Sequence, residues 1–307
     1  MDDLTLHPRD RCTSTGPLVV IGEVLWDVFP DSARLGGAPL NFAVHALRLG
    51  LYPLLISALG RDELGERAAV GIAALGLDAR MVTRSTKGKT GTAAVVLDDG
   101  GQPVFRIARP AAYDDLRITS AEVRILKSLD PSWLYYGTLF PSTREGRTTL
   151  QTLLEAMPGA TRFYDVNLRP GFDSLELARD LLAIANVVKL NESEAAALAR
   201  FLRLPSETEG FCRSGAERFG WRAVCVTLGE SGCAMFDGTE FVRANGEKVT
   251  VADTVGAGDA FAAAFVYGLT KRWPASRIAP FANRIGALVA SRAGAIPDWS
   301  IAETALI

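Results

Sequence analysis

Apolar positions along this chain fall into two alternating patterns. Short runs rich in β-branched residues, PLVVIGEVL (17–25) and YPLLISALG (52–60), predict buried strands. Between and after them, APLNFAVHALRLG (38–50) places Phe42, Leu47 and Leu49 on one helical face, and ELGERAAVGIAALG (63–76) follows the same period. Both segments end in glycine, the residue best suited to a helix C-terminus. SWLYYG (132–137), ATRFYDV (160–166), NVVKL (186–190) and RAVCVTL (222–228) predict further strands. Helices are predicted near 144–156, 174–185, 192–202 and 208–219, with a long helical tail from about 257 to 293. Strand and helix in turn argue an α/β fold, with a mainly parallel sheet covered by helices on both faces.

Two segments break the alternation. TGTAAVVLDDGGQPVFRIAR (90–109) is a pair of strand-like runs around Asp98-Asp99-Gly100-Gly101, a hairpin signal. It predicts a small β flap beside the main sheet, whose open strand edges suit pairing with a second copy of the chain. GCAMFDGTEFVRA (232–244) reads as a second hairpin. Residues 1–16 read as a loose tail, and no linker or repeat divides 17–307 into further domains.

Composition narrows the partners. With 48% hydrophobic and 22% charged residues, the chain can bury a substantial core. Its 33 basic and 35 acidic residues are interleaved, so no basic stripe predicts nucleic-acid or membrane-surface binding, and a small-molecule partner is expected. The polar N-terminus lacks the form of a signal peptide. Asp259, Asn283, Arg284 and Arg292 interrupt the most apolar stretches, so no membrane span is predicted and a cytoplasmic location is expected. Cys12, Cys212, Cys225 and Cys233 show no CxxC spacing, and His7 and His45 are the only histidines, which disfavours a zinc site.

The densest chemistry lies in TVADTVGAGDAFAAAFVYGL (250–269). Gly256-Ala257-Gly258 leads straight into an alanine-rich helix. Small residues leave backbone N–H groups open, and the helix start adds unpaired donors with partial positive charge, a nest suited to phosphate. Asp259 stands at its mouth. It could simply complement the helix dipole, or it could be the general base where a phosphoryl group meets an acceptor hydroxyl.

DTVGAGD (253–259) resembles the C-terminal signature of the ribokinase-like (PfkB) sugar kinases. The resemblance implies an ATP-dependent kinase with Asp259 as catalytic base and Gly256, Ala257 and Gly258 as anion hole. GEVLWD (22–27) followed by LGGAPLNFA (35–43) is similar to the family's first signature, implying that Asp27 and Asn41 bind sugar hydroxyls and that Gly37 admits the sugar to the backbone. NESE (191–194) fits the N-x-x-E element that holds magnesium largely through water, though Asn191 and Glu194 equally suit a helix-capping box. VTLGESG (226–232) resembles the T-x-G-x-x-G nucleotide turn, implying Thr227, Gly229 and Gly232 as nucleotide contacts, with Asn283 in the adenine pocket. Asp253, Val255 and Gly294 would form a monovalent-cation site for potassium. DVNLRP (165–170) resembles the D-x-N-x-R element of fructokinase-like and 2-keto-3-deoxygluconate kinase-like members, making Arg169 a sugar contact. Arg106 and Arg109, with Phe105 and Tyr113, are candidates on or beside the flap.

The implied fold is ribokinase-like, with a β lid contributed by about 27–36 and 88–113. Fructose or a related hexose is the expected substrate. A 2-keto-3-deoxy sugar acid, or an inactive sugar-binding member of the same fold, is the alternative. No G-x-G-x-x-G follows the first strand and no G-x-x-x-x-G-K-[ST] occurs, so dinucleotide and P-loop readings are disfavoured.

Overall fold

A computed structural model describes residues 16–97, 103–169, 171 and 174–305 of the chain. The predicted hairpin turn at Asp98–Gly101, Cys12, His7 and nearly all of the predicted tail lie outside the described residues.

Strands β1 (Leu18–Ile21), β4 (Pro53–Leu59), β5 (Asp78–Arg84), β8 (Trp133–Tyr136), β9 (Thr161–Asp165), β10 (Val187–Asn191), β11 (Ala223–Thr227), β12 (Cys233–Phe236) and β13 (Phe241–Ala244) form one nine-stranded sheet. Its order is β13-β12-β11-β10-β9-β8-β1-β4-β5. All neighbours are parallel except the β11-β12 and β12-β13 pairs, which close the sheet with the second predicted hairpin. The chain runs outward from β1 in one direction, then returns to add β8 on its other side. The crevice at the carboxyl ends of β1 and β8 is thus a switch point in the winding, where open α/β sheets bind ligands.

Alternate residues of β1 serve opposite faces. Leu18 and Val20 pack with α1 (Ala38–Arg48), α2 (Glu63–Ala74), α8 (Ala257–Thr270) and α9 (Ala275–Ala290). Val19 and Ile21 pack with α3 (Ser120–Leu129), α4 (Arg144–Ala156), α5 (Leu175–Ile184), α6 (Glu192–Leu202) and α7 (Thr208–Phe219). Helix α8 is buried on nearly every side from Ala260 to Val266, which explains its apolar, alanine-rich sequence. His45 is buried in α1, where Trp299 Nε1 donates to Nδ1 and Nε2 donates to the Ala295 carbonyl. Burial lowers its pKa to about 4, so it is a neutral strut rather than a metal ligand.

A second, four-stranded sheet stands apart, in the order β3-β2-β6-β7: β3 (Ala33–Gly36), β2 (Leu25–Val28), β6 (Gly91–Leu97) and β7 (Pro103–Ile107). The run 17–25, expected as one strand, is therefore two. It breaks at Gly22, where Pro39 Cγ would lie 2.4 Å from any added Cβ, so the position requires glycine, and the chain passes from the large sheet to the small one. The expected helical tail of 257–293 is likewise two helices, parted by Arg272 at φ 54° and by Pro274, which begins α9. Neither β5 nor α3 is anticipated from the hydrophobic pattern: β5 is half-buried through most of its length, and α3 buries only Leu126 fully. No helix among the described residues is long and apolar enough to cross a membrane.

Candidate active site

Helix α8 begins where two cavities meet. Its N-cap, Gly256, has φ 80°, and no side chain caps the first turn. The Ala257 amide bonds weakly to the Thr254 carbonyl at 3.3 Å, and the neighbouring Gly256 and Gly258 amides stay available to a ligand. Gly256 is required here twice over, since a methyl group would fall 2.2 Å from the Ala295 carbonyl oxygen.

The smaller cavity, about 290 Å³, is lined by Gly256, Gly258 and Asp259 together with Asp27, Gly37, Asn41 and Arg169. Four separate sequence segments meet here: β2, the start of α1, the carboxyl end of β9 and the start of α8. Asn41 Nδ2 donates to Asp259 Oδ2 at 2.9 Å, while Asn41 Oδ1 is buried without a partner. Burial and the Asp165 carboxylate push Asp259 up to about 6, against the opposing pull of Asn41, Lys189 and Arg169. Asp27 is raised to about 6 by burial, opposed by Arg169 and Arg34.

Two cavity residues carry no role in the sequence reading. Glu23 sits in the Gly22–Val24 link between β1 and β2, and burial raises its carboxyl to about 7. Asn167, within the DVNLRP segment, adopts φ 40°, and its Nδ2 is buried without a partner. The available signal for it was its place in the DVNLRP segment that follows a predicted strand. For Glu23 no local signal existed, because its place in the cavity depends on where the chain passes from the large sheet to the small one.

Arg106 and Arg109 do not line this cavity. Arg106 pairs opposite Ala94 on β7, whereas Ala93 and Ile107 supply the cavity wall, so the two-residue period of the strand turns Arg106 the other way. The Arg109 guanidinium is bonded to the Asp114 carboxylate and to the Leu139 carbonyl. Asp114 neutralises it away from the sugar candidates. The Tyr113 hydroxyl is buried without a partner.

The larger cavity, about 860 Å³, is lined by Thr227, Gly229, Gly232 and Asn283, and also by Thr254, Ala257 and Gly258. Thr254 and Gly258 border both cavities, so the α8 N-terminus is their common wall. Asn283 Nδ2 donates to the carbonyls of Ala244 and Asn245, so this donor braces the cavity rim.

Asn191 and Glu194 line neither cavity. They form a complete capping box: Asn191 Oδ1 accepts from the Glu194 amide, and Glu194 Oε2 accepts from the Asn191 amide. Glu194 Oε1 accepts from the Leu168 amide at 2.8 Å, which ties the Asn167–Arg169 segment to α6. With one N–H on each carboxylate oxygen, this pair suits a hydrated cation held through its waters, not a direct-ligand cage. No group of three acidic, histidine or cysteine residues among the described residues could form such a cage. Below the anion-hole candidates, Lys189 Nζ pairs with Asp165 Oδ1 at 2.9 Å, with side-chain exposures of only 5% and 0%. A Cβ at Gly258 would stand 3.4 Å from that ammonium. Asp253 braces its own loop: Oδ1 accepts from the Val255 amide, and Oδ2 from the Gly294 amide and Arg34.

Two cavities share the N-terminal wall of α8 in an α/β fold, with a carboxyl group on the smaller side. A family model described as pfkB family carbohydrate kinase matches residues 19–302, and the chain belongs to that family. It is 30% identical to a fructokinase from Salmonella typhimurium, over 81% of this chain and 83% of the relative. It is also 30% identical to fructokinase-1 of Zea mays, with 92% and 94% covered. Among solved structures, a fructokinase of Xylella fastidiosa with bound ATP superposes with TM-score 0.80 at 23% identity, covering 94% of this chain and 97% of that one. A Vibrio cholerae fructokinase bound to fructose, ADP and calcium gives 0.79 at 24% identity, covering 96% and 99%. These structural matches share the fold; the enzyme class follows from the family.

Proposed function

We propose that this carbohydrate kinase transfers the γ-phosphoryl group of ATP to a hydroxymethyl oxygen of fructose or a closely related hexose, in the cytoplasm. The observation that carries this reading is the shared wall. Asp259 faces the smaller cavity, Ala257 and Gly258 border the larger, and the open amides lie between them. A sugar in the smaller cavity meets Asp27, Asn41, Asn167 and Arg169, several of whose polar atoms lack protein partners. The nucleotide lies across Thr227, Gly229 and Gly232.

In the reaction, Asp259 accepts the proton of the sugar hydroxyl as its oxygen bonds to the γ-phosphorus. The bond from that phosphorus to the oxygen bridging the β- and γ-phosphates breaks, and ADP leaves. The amides of Gly256, Ala257 and Gly258 face the charge gathering on the transferring group. Asn41 orients the Asp259 carboxyl. Asn191 and Glu194 would hold magnesium only through water, and when bound it would supply charge neutralisation at the phosphates. A potassium ion beside the Asp253–Val255 and Gly294 loops would brace the same wall. The β2, β3, β6 and β7 strands act as the lid over the sugar, and their outer strands β3 and β7 offer edges for a homodimer. Fructose is favoured because both relatives at 30% identity are fructokinases.

The test is ADP release with ATP and magnesium, with and without potassium, against fructose, other hexoses, ribose, adenosine and 2-keto-3-deoxygluconate. Fructose-dependent release is the expected result. Turnover of ribose or adenosine alone would overturn the hexose assignment.

A further inference from the structure

A buried carboxylate ordinarily has donors supplied by the protein. In this chain Glu194 receives two backbone N–H groups and Asp165 is paired with Lys189. Glu23 and Asp27 are the exceptions, at 6% and 8% exposure, and both line the smaller cavity. Among the described residues no other residue donates to either carboxyl group, and Glu23 is the one without a proposed role. The space beside it is kept open by Gly37. A methyl group there would lie 2.6 Å from the Glu23 carbonyl oxygen and 3.5 Å from its Cγ. No partner among the described residues occupies the acid, and a hydroxyl-bearing ligand in the cavity would satisfy it.

Cavity charge points the same way. Glu23, Asp27 and Asp259 line it against a single cation, Arg169, since Arg109 is bound to Asp114. We infer that Glu23 is a specificity-determining sugar contact: its carboxyl group binds a hydroxyl of a neutral sugar, and its charge, added to those of Asp27 and Asp259, turns sugar acids away. This rests on reading the smaller cavity as the sugar site, and it deepens that reading by excluding the 2-keto-3-deoxy sugar acid.

The charged and titratable groups facing Glu23 are Arg169, Arg109, Asp259 and Tyr113. Burial dominates, and holds its carboxyl near 7. Discrimination against a carboxylate substrate therefore grows as pH rises from about 6 to 8 and Glu23 ionises.

The experiment compares wild type, Glu23→Gln and Glu23→Asp, measuring kcat and KM separately for fructose, 2-keto-3-deoxygluconate and ATP at three pH values, with fructose binding followed calorimetrically. The expected Gln variant has KM for fructose raised roughly ten- to a hundredfold, kcat within a few-fold, and KM for ATP unchanged. Its fructose-to-acid preference falls and keeps only the pH dependence set by Asp27 and Asp259 near 6, losing the part near 7, whereas the Asp variant retains the charge and the discrimination. A Gln variant with wild-type KM and preference, or a wild type that prefers the acid, overturns the inference. Equal loss for sugar and ATP, with a lowered melting temperature, reduces Glu23 to a structural residue and also overturns it. Failure of the functional reading looks different: the wild type neither phosphorylates nor binds any neutral sugar of the panel, and the inference falls with it.

Discussion

Replacing Asp259 with asparagine separates the chemical role of this residue from its structural cost. The substitution keeps size and leaves an oxygen for Asn41 Nδ2, which bonds Asp259 at 2.9 Å. Loss of a general base lowers kcat by roughly 10²–10⁴-fold. Stability moves the other way. The folded carboxyl is raised from the ordinary 3.8 to about 6, so the stabilising protonated form is complete below the ordinary value and is lost as pH rises through about 6. Above that pH the ionised aspartate is a cost of at most about 3 kcal/mol, reduced by solvent at the cavity mouth. Asparagine removes that cost, so the variant melts higher than wild type above pH 6, and the difference closes toward pH 4. The wild-type kcat/KM for sugar falls about tenfold per pH unit below about 6, while the residual rate of the variant lacks that limb. Coupled ADP release and thermal melts across pH 4–8 measure all three. Near-normal turnover in the variant, or an acid limb that survives the substitution, would refute Asp259 as the base.

Two further perturbations probe the wall behind it. Gly256→Ala drives a methyl group to 2.2 Å from the Ala295 carbonyl oxygen and demands φ 80° of alanine. It is expected to cost roughly 1–3 kcal/mol and to raise KM for ATP, by melting and steady-state kinetics; an unaltered melt would show that the turn can move. Lys189→Met strands the fully buried Asp165 and should destabilise by roughly 3–5 kcal/mol in urea, whereas adding Asp165→Asn recovers part of that loss. In the single variant, the Asp165 charge no longer has its partner beside Asp259, so the acid limb of activity moves to higher pH; an unmoved limb would uncouple the pair from the base.

Much of the site was legible because its chemistry is local. The nest Gly256-Ala257-Gly258, the acid at 259 and the alanine-rich helix behind them are contiguous, and helix starts behave alike wherever they occur. The same holds for Asn191 and Glu194, whose capping geometry spans only three residues. Arg109 shows the limit. A guanidinium near the flap looks available until the fold brings Asp114 against it.

What the sequence determined by itself was the alternation of strand and helix, the family signature and the glycine turn that opens α8, since periodicity and backbone donors depend on near neighbours. Tertiary structure alone decided that Gly22 breaks the first strand and delivers Glu23 to the cavity, and that Asn167 reaches it from the end of β9. It also set Lys189 under Gly258. Each of these depends on strand order and on contacts between residues far apart in the chain, and hydrophobic pattern does not encode which distant side chain will be met.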